Sequence, residues 1–441
     1  MHGWLPAAVQ ILAVVALVSA IGWRTRRWRL VWLPWSALIG VVLAALAYLY
    51  IASAGIADDS NPAPHGMWIW IALSGLAFGV LVSGWRGSSR WRRLAAVAAV
   101  PLCVLSAGLS LNLWVGYFPT VQTAWNQLTA GPLPDQIDAV TLVAMQKQHR
   151  LPIKGTLVAV DIPDTASGFR HRGEFVYLPP AWYRSDPPPA LPTIMMIGGE
   201  FNTPADWMRA GGAIKTLDDF AAAHGGNAPV VVFVDPGGTF NNDTECVNGS
   251  RGNSADHLTK DVVPYVESHF GVSSRTANWG VVGWSMGGTC AVDLAVMHPD
   301  QFSSFEDIAG DAAPNAGTQA ETVARLFGGN SAAYAAFDPS TVMTDHGPYQ
   351  GVSGWFDVNG TAAGPPNEQA LAAQALCADG ARAGIDCAVV SQPGNHDWPF
   401  AATAFAAALP WLAGAIGTPG VPQVPLQSTT APAPVITAST H

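Results

Sequence analysis

Four runs near the start of the chain contain no charged residue: Gly3–Gly22, Leu30–Ser53, Met67–Gly84 and Leu94–Gly116. A helix needs roughly 20 apolar residues, at about 1.5 Å each, to cross about 30 Å of hydrocarbon, and these runs are read as four such spans. Met67–Gly84 is the shortest. The first run is taken as a span rather than a secretory signal, because no basic segment precedes it and three more runs follow. From residue 151 the pattern changes to short apolar, β-rich runs separated by helical periodicity. Strands are predicted over 156–161, 174–178, 193–197, 229–234, 279–283, 305–309, 354–358 and 387–390. Helices are predicted over 216–223, 255–269, 286–297, 368–383 and 401–413. Strands alternating with helices imply a mostly parallel sheet with helices on both faces, and Val230–Val234, apolar on every side, reads as a central strand. The expected organisation is a four-helix transmembrane region over 1–116, a connector over 117–150, an α/β domain over 151–415 and a Pro/Thr/Ser-rich disordered tail over 416–441.

Charge divides the chain at the same place. Residues 1–116 hold eight Arg against two Asp, a net of +6, whereas residues 117–441 hold 13 basic and 29 acidic residues, a net of −16. Arg24, Arg26, Arg27 and Arg29 lie between the first two spans, and Arg86, Arg90, Arg92 and Arg93 between the last two. The loop between them has Asp58 and Asp59 and no basic residue, so the positive-inside rule places both Arg loops in the cytoplasm. Four crossings then leave everything after Gly116 outside, and the expected location is the plasma membrane, multi-pass, with the α/β domain extracytoplasmic. Trp23, Trp28, Trp85 and Trp91 flank the Arg loops, as interfacial anchors do. No ionisable residue falls inside a span, so the helices are read as an anchor rather than an ion path. An acidic chain whose longest Lys/Arg run is two residues is not expected to bind nucleic acid.

The strongest chemical signal is Gly283-Trp284-Ser285-Met286-Gly287, which follows an apolar strand and opens a helix. A sharp strand-to-helix turn of this kind presents a serine hydroxyl at the carboxyl edge of a sheet, as in an α/β-hydrolase domain. Serine needs a base, and in that fold the chain order is Ser, acid, His. Of the four histidines after Ser285, His298 ends the nucleophile helix, His346 precedes the strand expected to deliver the acid, and His441 lies in the tail. His396, in Gly394-Asn395-His396-Asp397-Trp398, is the candidate base. The acid stays open between Glu368, at the start of a helix, and Asp357, at the end of a strand, with Asp397 a lesser alternative. The oxyanion hole is expected from the Met286 amide and one from the Gly198-Gly199-Glu200 loop, with Gly199 or Glu200 as the donor.

These residues carry a resemblance. Gly283–Gly288, the segment Ala295–Phe302 and Gly394–Trp398 are similar to the esterase D and mycolyltransferase-like α/β-hydrolases, including membrane-anchored actinobacterial esterases. The resemblance covers about residues 150–413 and leaves out the four spans and the tail. It implies Ser285 as nucleophile, His396 as base and an oxyanion hole at Met286 and the Gly198-Gly199 loop. Many esterase D relatives place an Asp shortly after a Gly beyond the penultimate strand, where this chain reads Asn359-Gly360-Thr361-Ala362. The mycolyltransferases instead use a Glu in a later helical segment, which Glu368 resembles. The expected function is a membrane-anchored serine esterase acting on acyl esters. The alternatives are an acyltransferase acting on envelope lipid or glycolipid hydroxyls, and a non-catalytic binding protein on the same fold.

Cys103 lies within a span, Cys246 sits in a polar loop with no evident partner, and Cys290 is read as a packing residue. Cys377 and Cys387 are placed to pair across a helix-to-strand turn in an oxidising exterior. No Cys/His spacing suggests a metal, and no Gly-rich phosphate loop appears in a suitable place, so no cofactor is expected. The oligomeric state is not readable from the sequence.

Overall fold

The computed structural model describes residues 3–22, 24–54, 63–115, 117–118, 120–129, 133, 135–147, 151–360, 366–426 and 435–437. The chain divides into two compact units, Met1–Thr129 and Ala130–His441.

The first unit contains α1 (Trp4–Ile21), α2 (Leu33–Ala54), α3 (His65–Gly84) and α4 (Arg90–Val115). All four are long and apolar enough to cross a membrane, the second span beginning at Trp28 through a π-helical turn. The helix α4 packs on both α1 and α3, and α3 packs on α2. Small residues, among them Ala13, Ala20, Ala77 and Ala99, share the interior with Leu17, Trp28, Met67 and Trp70. A Cβ on Gly75 would lie 2.7 Å from the Gly40 Cα, so α2 and α3 meet backbone to backbone, as membrane helices do at small-residue seams. Leucines and valines such as Leu12, Leu43 and Val82 are exposed. Arg24 donates to the Ala20, Ile21 and Gly84 carbonyls, satisfying acceptors left open at the ends of α1 and α3. The acidic loop at Asp58 and Asp59 lies outside the described residues.

The second unit is built on one sheet. Its strands are β1 (Gln136–Ile137), β2 (Thr156–Val160), β3 (Glu174–Leu178), β4 (Thr193–Ile197), β5 (Val230–Val234), β6 (Trp279–Trp284), β7 (Ser304–Ile308), β8 (Ser353–Gly360), β9 (Asp386–Pro393) and β10 (Val435–Thr437). They lie in the order β1-β2-β3-β5-β4-β6-β7-β8-β9-β10. Only β3 runs antiparallel to its neighbours; the other pairings are parallel. This exchange of β4 and β5 beside an antiparallel β3 is the order of an α/β-hydrolase. The central strands β4, β5 and β6 are buried at every position because helices cover both faces. Among those helices are α5 (Ala213–Ala223), α6 (Val263–Phe270), α7 (Met286–Met297), α8 (Glu368–Ala383) and α9 (Trp398–Ala415).

The structure departs from the sequence reading in four places. Part of the expected connector belongs to the second unit, where Gln136–Ile137 pairs with Leu157–Val158 and a helix spans Ala139–Lys147. Three short helices, Gln319–Phe327, Ser331–Ala335 and Pro339–His346, occupy a stretch given no element; each is capped by a side chain, from Thr318, Asn330 and Asp338. The tail is not wholly without structure: Ile416 and Thr418 are buried, and Val435–Thr437, a β-branched triplet, pairs with Val389–Ser391. Cys246 and Cys290 form a disulfide across 44 residues, so Cys246 has a partner and Cys290 is more than a packing residue. Folding of the 243–247 loop against α7 makes that bond. Cys377 and Cys387 are also bonded, and Cys103 is free and buried in α4.

Candidate active site

Ser285 stands at the turn between β6 and α7 with φ 58° and ψ −123°, a left-handed backbone that a residue with a side chain adopts only under constraint. Its amide donates to the Ile308 carbonyl at the end of β7 (2.9 Å). Glycine is required on either side of it. A Cβ on Gly283 would overlap the Gly287 carbonyl, and one on Gly287 would lie 2.6 Å from the Ile197 and Gly198 carbonyls. The turn therefore pushes the hydroxyl outward and seats the helix against the β4 exit loop.

His396 comes from the loop between β9 and α9, and its Nε2 lies 2.9 Å from Ser285 Oγ. That contact joins residues 111 apart in sequence. The Trp284 ring lies over the imidazole, with centroids 4.3 Å apart and planes at 31°. The next residue, Asp397, caps α9 by accepting from the Phe400 amide (3.1 Å), which fixes the backbone that carries the imidazole and occupies Asp397 as a cap.

The two favoured acids sit in different surroundings. Asp357 is fully buried near the end of β8 and accepts from Gln392 Nε2 (2.6 Å) and Trp355 Nε1 (2.9 Å). Burial pushes its carboxyl up to about 7, against these hydrogen bonds and a contact with Glu306. Glu306 and Asp307, on β7, are also buried and raised, Asp307 to about 8, by desolvation first. Glu368 is exposed at the first position of α8, immediately after the Asn367 cap. Part of the preceding loop, 361–365, lies outside the described residues. Gln369 beside Glu368 donates to Asp311 Oδ1 (3.5 Å), and the Asp311 amide donates to Thr289 Oγ1 on α7 (2.9 Å), so the start of α8 is linked to the nucleophile helix.

The β4 exit loop passes beside Ser285: a Cβ on Gly199 would lie 3.1 Å from the Ser285 Cβ. The Gly199 amide donates to Asn202 Oδ1 (2.9 Å). The amides of Glu200 and of Met286, the first residue of α7, make no hydrogen bond among the described residues. Partial burial and the neighbouring Asp243 push the Glu200 carboxyl up to about 8, opposed by Arg251. Sequence reading passed over Arg172, Asp235 and Asn202, which brace this loop. One signal was available: Asp235 ends an apolar strand at the sheet edge where the chemistry lies.

A second polar cluster, also unassigned from the sequence, groups His171, Glu174 and His257, whose potential ligand atoms lie within 4.8 Å of one another. The two imidazoles are stacked, with centroids 4.2 Å apart and planes at 21°. Near-parallel rings at that spacing cannot both direct an in-plane lone pair at one ion unless one ring turns. Both His171 nitrogens face backbone carbonyls, of Arg172 (2.8 Å) and Ile162 (2.7 Å), and donating to both requires two ring protons. Burial opposes that charge, but Glu174 and the two carbonyls outweigh it and raise the His171 pKa. The arrangement sets both imidazoles against the buried Glu174, at 3.7 Å from His171 Nδ1 and 3.1 Å from His257 Nε2, at the start of β3.

Comparison with known proteins agrees with this architecture. The esterase family model matches residues 169–411, and the chain belongs to the esterase family. An uncharacterised protein of Corynebacterium glutamicum is 29% identical over 422 residues, covering 91% of this chain and 92% of that one, a span that takes in most of the apolar unit as well. Among solved structures, an S-formylglutathione hydrolase from Agrobacterium tumefaciens is 17% identical with a TM-score of 0.49 and covers 61% of this chain and 98% of its own. MPT51 of Mycobacterium tuberculosis is 20% identical with a TM-score of 0.40, covering 58% of this chain and all of its own length (100%). The family is one of esterases.

Proposed function

We propose that the protein is a membrane-anchored serine esterase whose catalytic domain lies on the extracytoplasmic side of the plasma membrane. The observation that carries this reading is the 2.9 Å contact between His396 Nε2 and a Ser285 hydroxyl held on a strained turn. In the mechanism, Ser285 Oγ attacks the ester carbonyl carbon while its proton passes to His396 Nε2. The tetrahedral oxyanion is stabilised by the Met286 amide and by an amide of the β4 exit loop. Because the Gly199 N–H already serves Asn202, Glu200 is the preferred second donor. The carbon–oxygen bond to the alcohol then breaks, and the leaving oxygen takes the proton from His396. Water enters, gives its proton to the same nitrogen, and releases the acid with regeneration of Ser285.

Glu368 is the preferred acid. Asp357 is committed to Gln392 and Trp355, and a carboxyl that titrates near 7 is a weak anion with which to support an imidazolium. Two features support the sidedness: the Arg-rich loops predict a cytoplasmic face, and the two disulfides of the second unit suit an oxidising compartment. An acyltransferase would use the same acyl-enzyme with a sugar or lipid hydroxyl in place of water. The position of Glu368 at a helix start, as the resemblance to mycolyltransferases implies, favours keeping that reading second. Turnover of a p-nitrophenyl acyl ester by the detergent-solubilised protein, lost in Ser285→Ala, tests the proposal. Product analysis with water and a polyol acceptor in competition separates hydrolysis from transfer. Absence of turnover and transfer alike would leave a non-catalytic binding protein.

A further inference from the structure

An oxyanion hole works only if its amides are aimed before the charge develops, and a displacement of about 1 Å costs on the order of a hundredfold in rate. The β4 exit loop is poorly suited to hold itself: it follows two glycines, and Phe201 within it has a φ of 64°. Asn202 gathers the loop. Its Oδ1 accepts from the Gly199 amide (2.9 Å), and its own amide donates to the Gly199 carbonyl (3.2 Å). The Asn202 carbonyl in turn accepts from Arg172 Nη2 (2.8 Å).

Arg172 is itself fixed. Asp235, fully buried just beyond β5, accepts from the Arg172 backbone amide (2.5 Å), Nε (2.9 Å) and Nη2 (2.6 Å). The Gly237 and Gly238 amides also donate to Asp235 (3.2 Å each), and the Asp235 amide donates to Glu174 Oε1 (2.9 Å). The planar guanidinium thus bridges a buried carboxylate at the sheet edge and the backbone of the glycine-containing loop. Nη2 alone meets both the Asn202 carbonyl and Asp235 Oδ1, and the Nε contact to Asp235 Oδ2 fixes its direction; a lysine, with one nitrogen, loses that second point of attachment.

We infer that Arg172 is a positioning residue that aims the oxyanion loop at Ser285 through the Asn202 carbonyl, with Asp235 as its anchor. It touches none of the reacting atoms. This inference rests on the esterase reading of Ser285.

The test uses the full-length protein in detergent, as wild type, Arg172→Lys, Arg172→Ala and Asn202→Ala. Active sites are first titrated to completion with a fluorophosphonate. Turnover of a soluble p-nitrophenyl ester is then expressed per titrated site. Arg172→Lys is expected to lose about 10- to 100-fold in kcat with KM within about threefold of wild type, and Asn202→Ala about tenfold. Added guanidinium is expected to restore part of the activity of Arg172→Ala. Turnover per titrated site within twofold of wild type in Arg172→Lys would overturn the inference, since a purely structural role would lower the number of competent sites and not their rate. If Arg172→Lys does not fold, unchanged kcat in Asn202→Ala overturns it instead. Wild-type protein that is neither labelled nor active would overturn the esterase reading itself, and the inference with it.

Discussion

The two units of this chain solve the burial problem in opposite ways. In the first, Ala13, Ala77, Ala99 and Gly75 line much of the interior beside a few large residues such as Leu17, Met67 and Trp70, while Leu12, Leu43 and Val82 face outward. In the second, Trp207, Trp279, Phe233 and Phe302 are enclosed, and a ring of carboxyls and amides gathers at the carboxyl edge of the sheet. Large apolar side chains turned outward need an apolar surrounding, and small residues turned inward let helices pack by close backbone contact where no hydrophobic effect drives them together. A soluble core instead buries its bulk and reserves strained backbone for chemistry, as at Ser285. The comparison suits the anchoring role proposed for one unit and the reactivity proposed for the other.

The largest effect that would sharpen this division falls on the acid. Glu368→Gln is expected to lower kcat about 10²- to 10⁴-fold, whereas Asp357→Asn, which removes a carboxyl from a buried hydrogen-bonded set, lowers it less than about tenfold. Equal losses in steady-state turnover would refute the choice between them. Next comes a matched pair of exposed apolar residues. Leu43→Arg, in the middle of α2, is expected to cost about 3 kcal/mol of membrane insertion and to leave a carbonate-extractable fraction. Ile153→Arg, at a still more exposed position of the second unit (97% against 42% for Leu43), is expected to change stability by less than about 0.5 kcal/mol. Similar behaviour of the two variants would break the comparison.

The smallest expected effect is on pH dependence. Burial pushes the Asp307 and Asp357 carboxyls up to about 8 and about 7, above the ordinary carboxylate range, so between about pH 4 and pH 8 the folded state holds protons that the unfolded chain releases. Stability of the second unit therefore falls as the pH rises through that window, and its melting temperature is expected to be several degrees higher at pH 5 than at pH 8. The first unit has no carboxylate among its described residues. A flat profile, or one rising with pH, would contradict the burial of these acids.

Much of this was legible because its signals are local. The four long apolar helices are continuous apolar runs in the sequence, β3, β4, α7 and α8 fall at their predicted residues, and Ser285 is announced by a strand, a glycine-flanked turn and a helix. His396 was reached by chain order, since the fold returns its last loop to the sheet edge. What escaped depends on contacts between distant segments. The Cys246–Cys290 bond needs a loop folded over the nucleophile helix, and the Arg172–Asp235–Asn202 brace joins three separate loops. Neither has a spacing that a single sequence displays. The helices between 319 and 346 escaped for a different reason: they are short, and their caps at Thr318, Asn330 and Asp338 were visible but had no long apolar periodicity behind them.

Covalent capture tests the assignment of reactivity most directly. After treatment of the full-length protein with a fluorophosphonate, mass analysis of the proteolytic fragments is expected to find one adduct, on the peptide containing Ser285, and none in Ser285→Ala. An adduct on a different residue, or labelling that survives the substitution, would contradict the account.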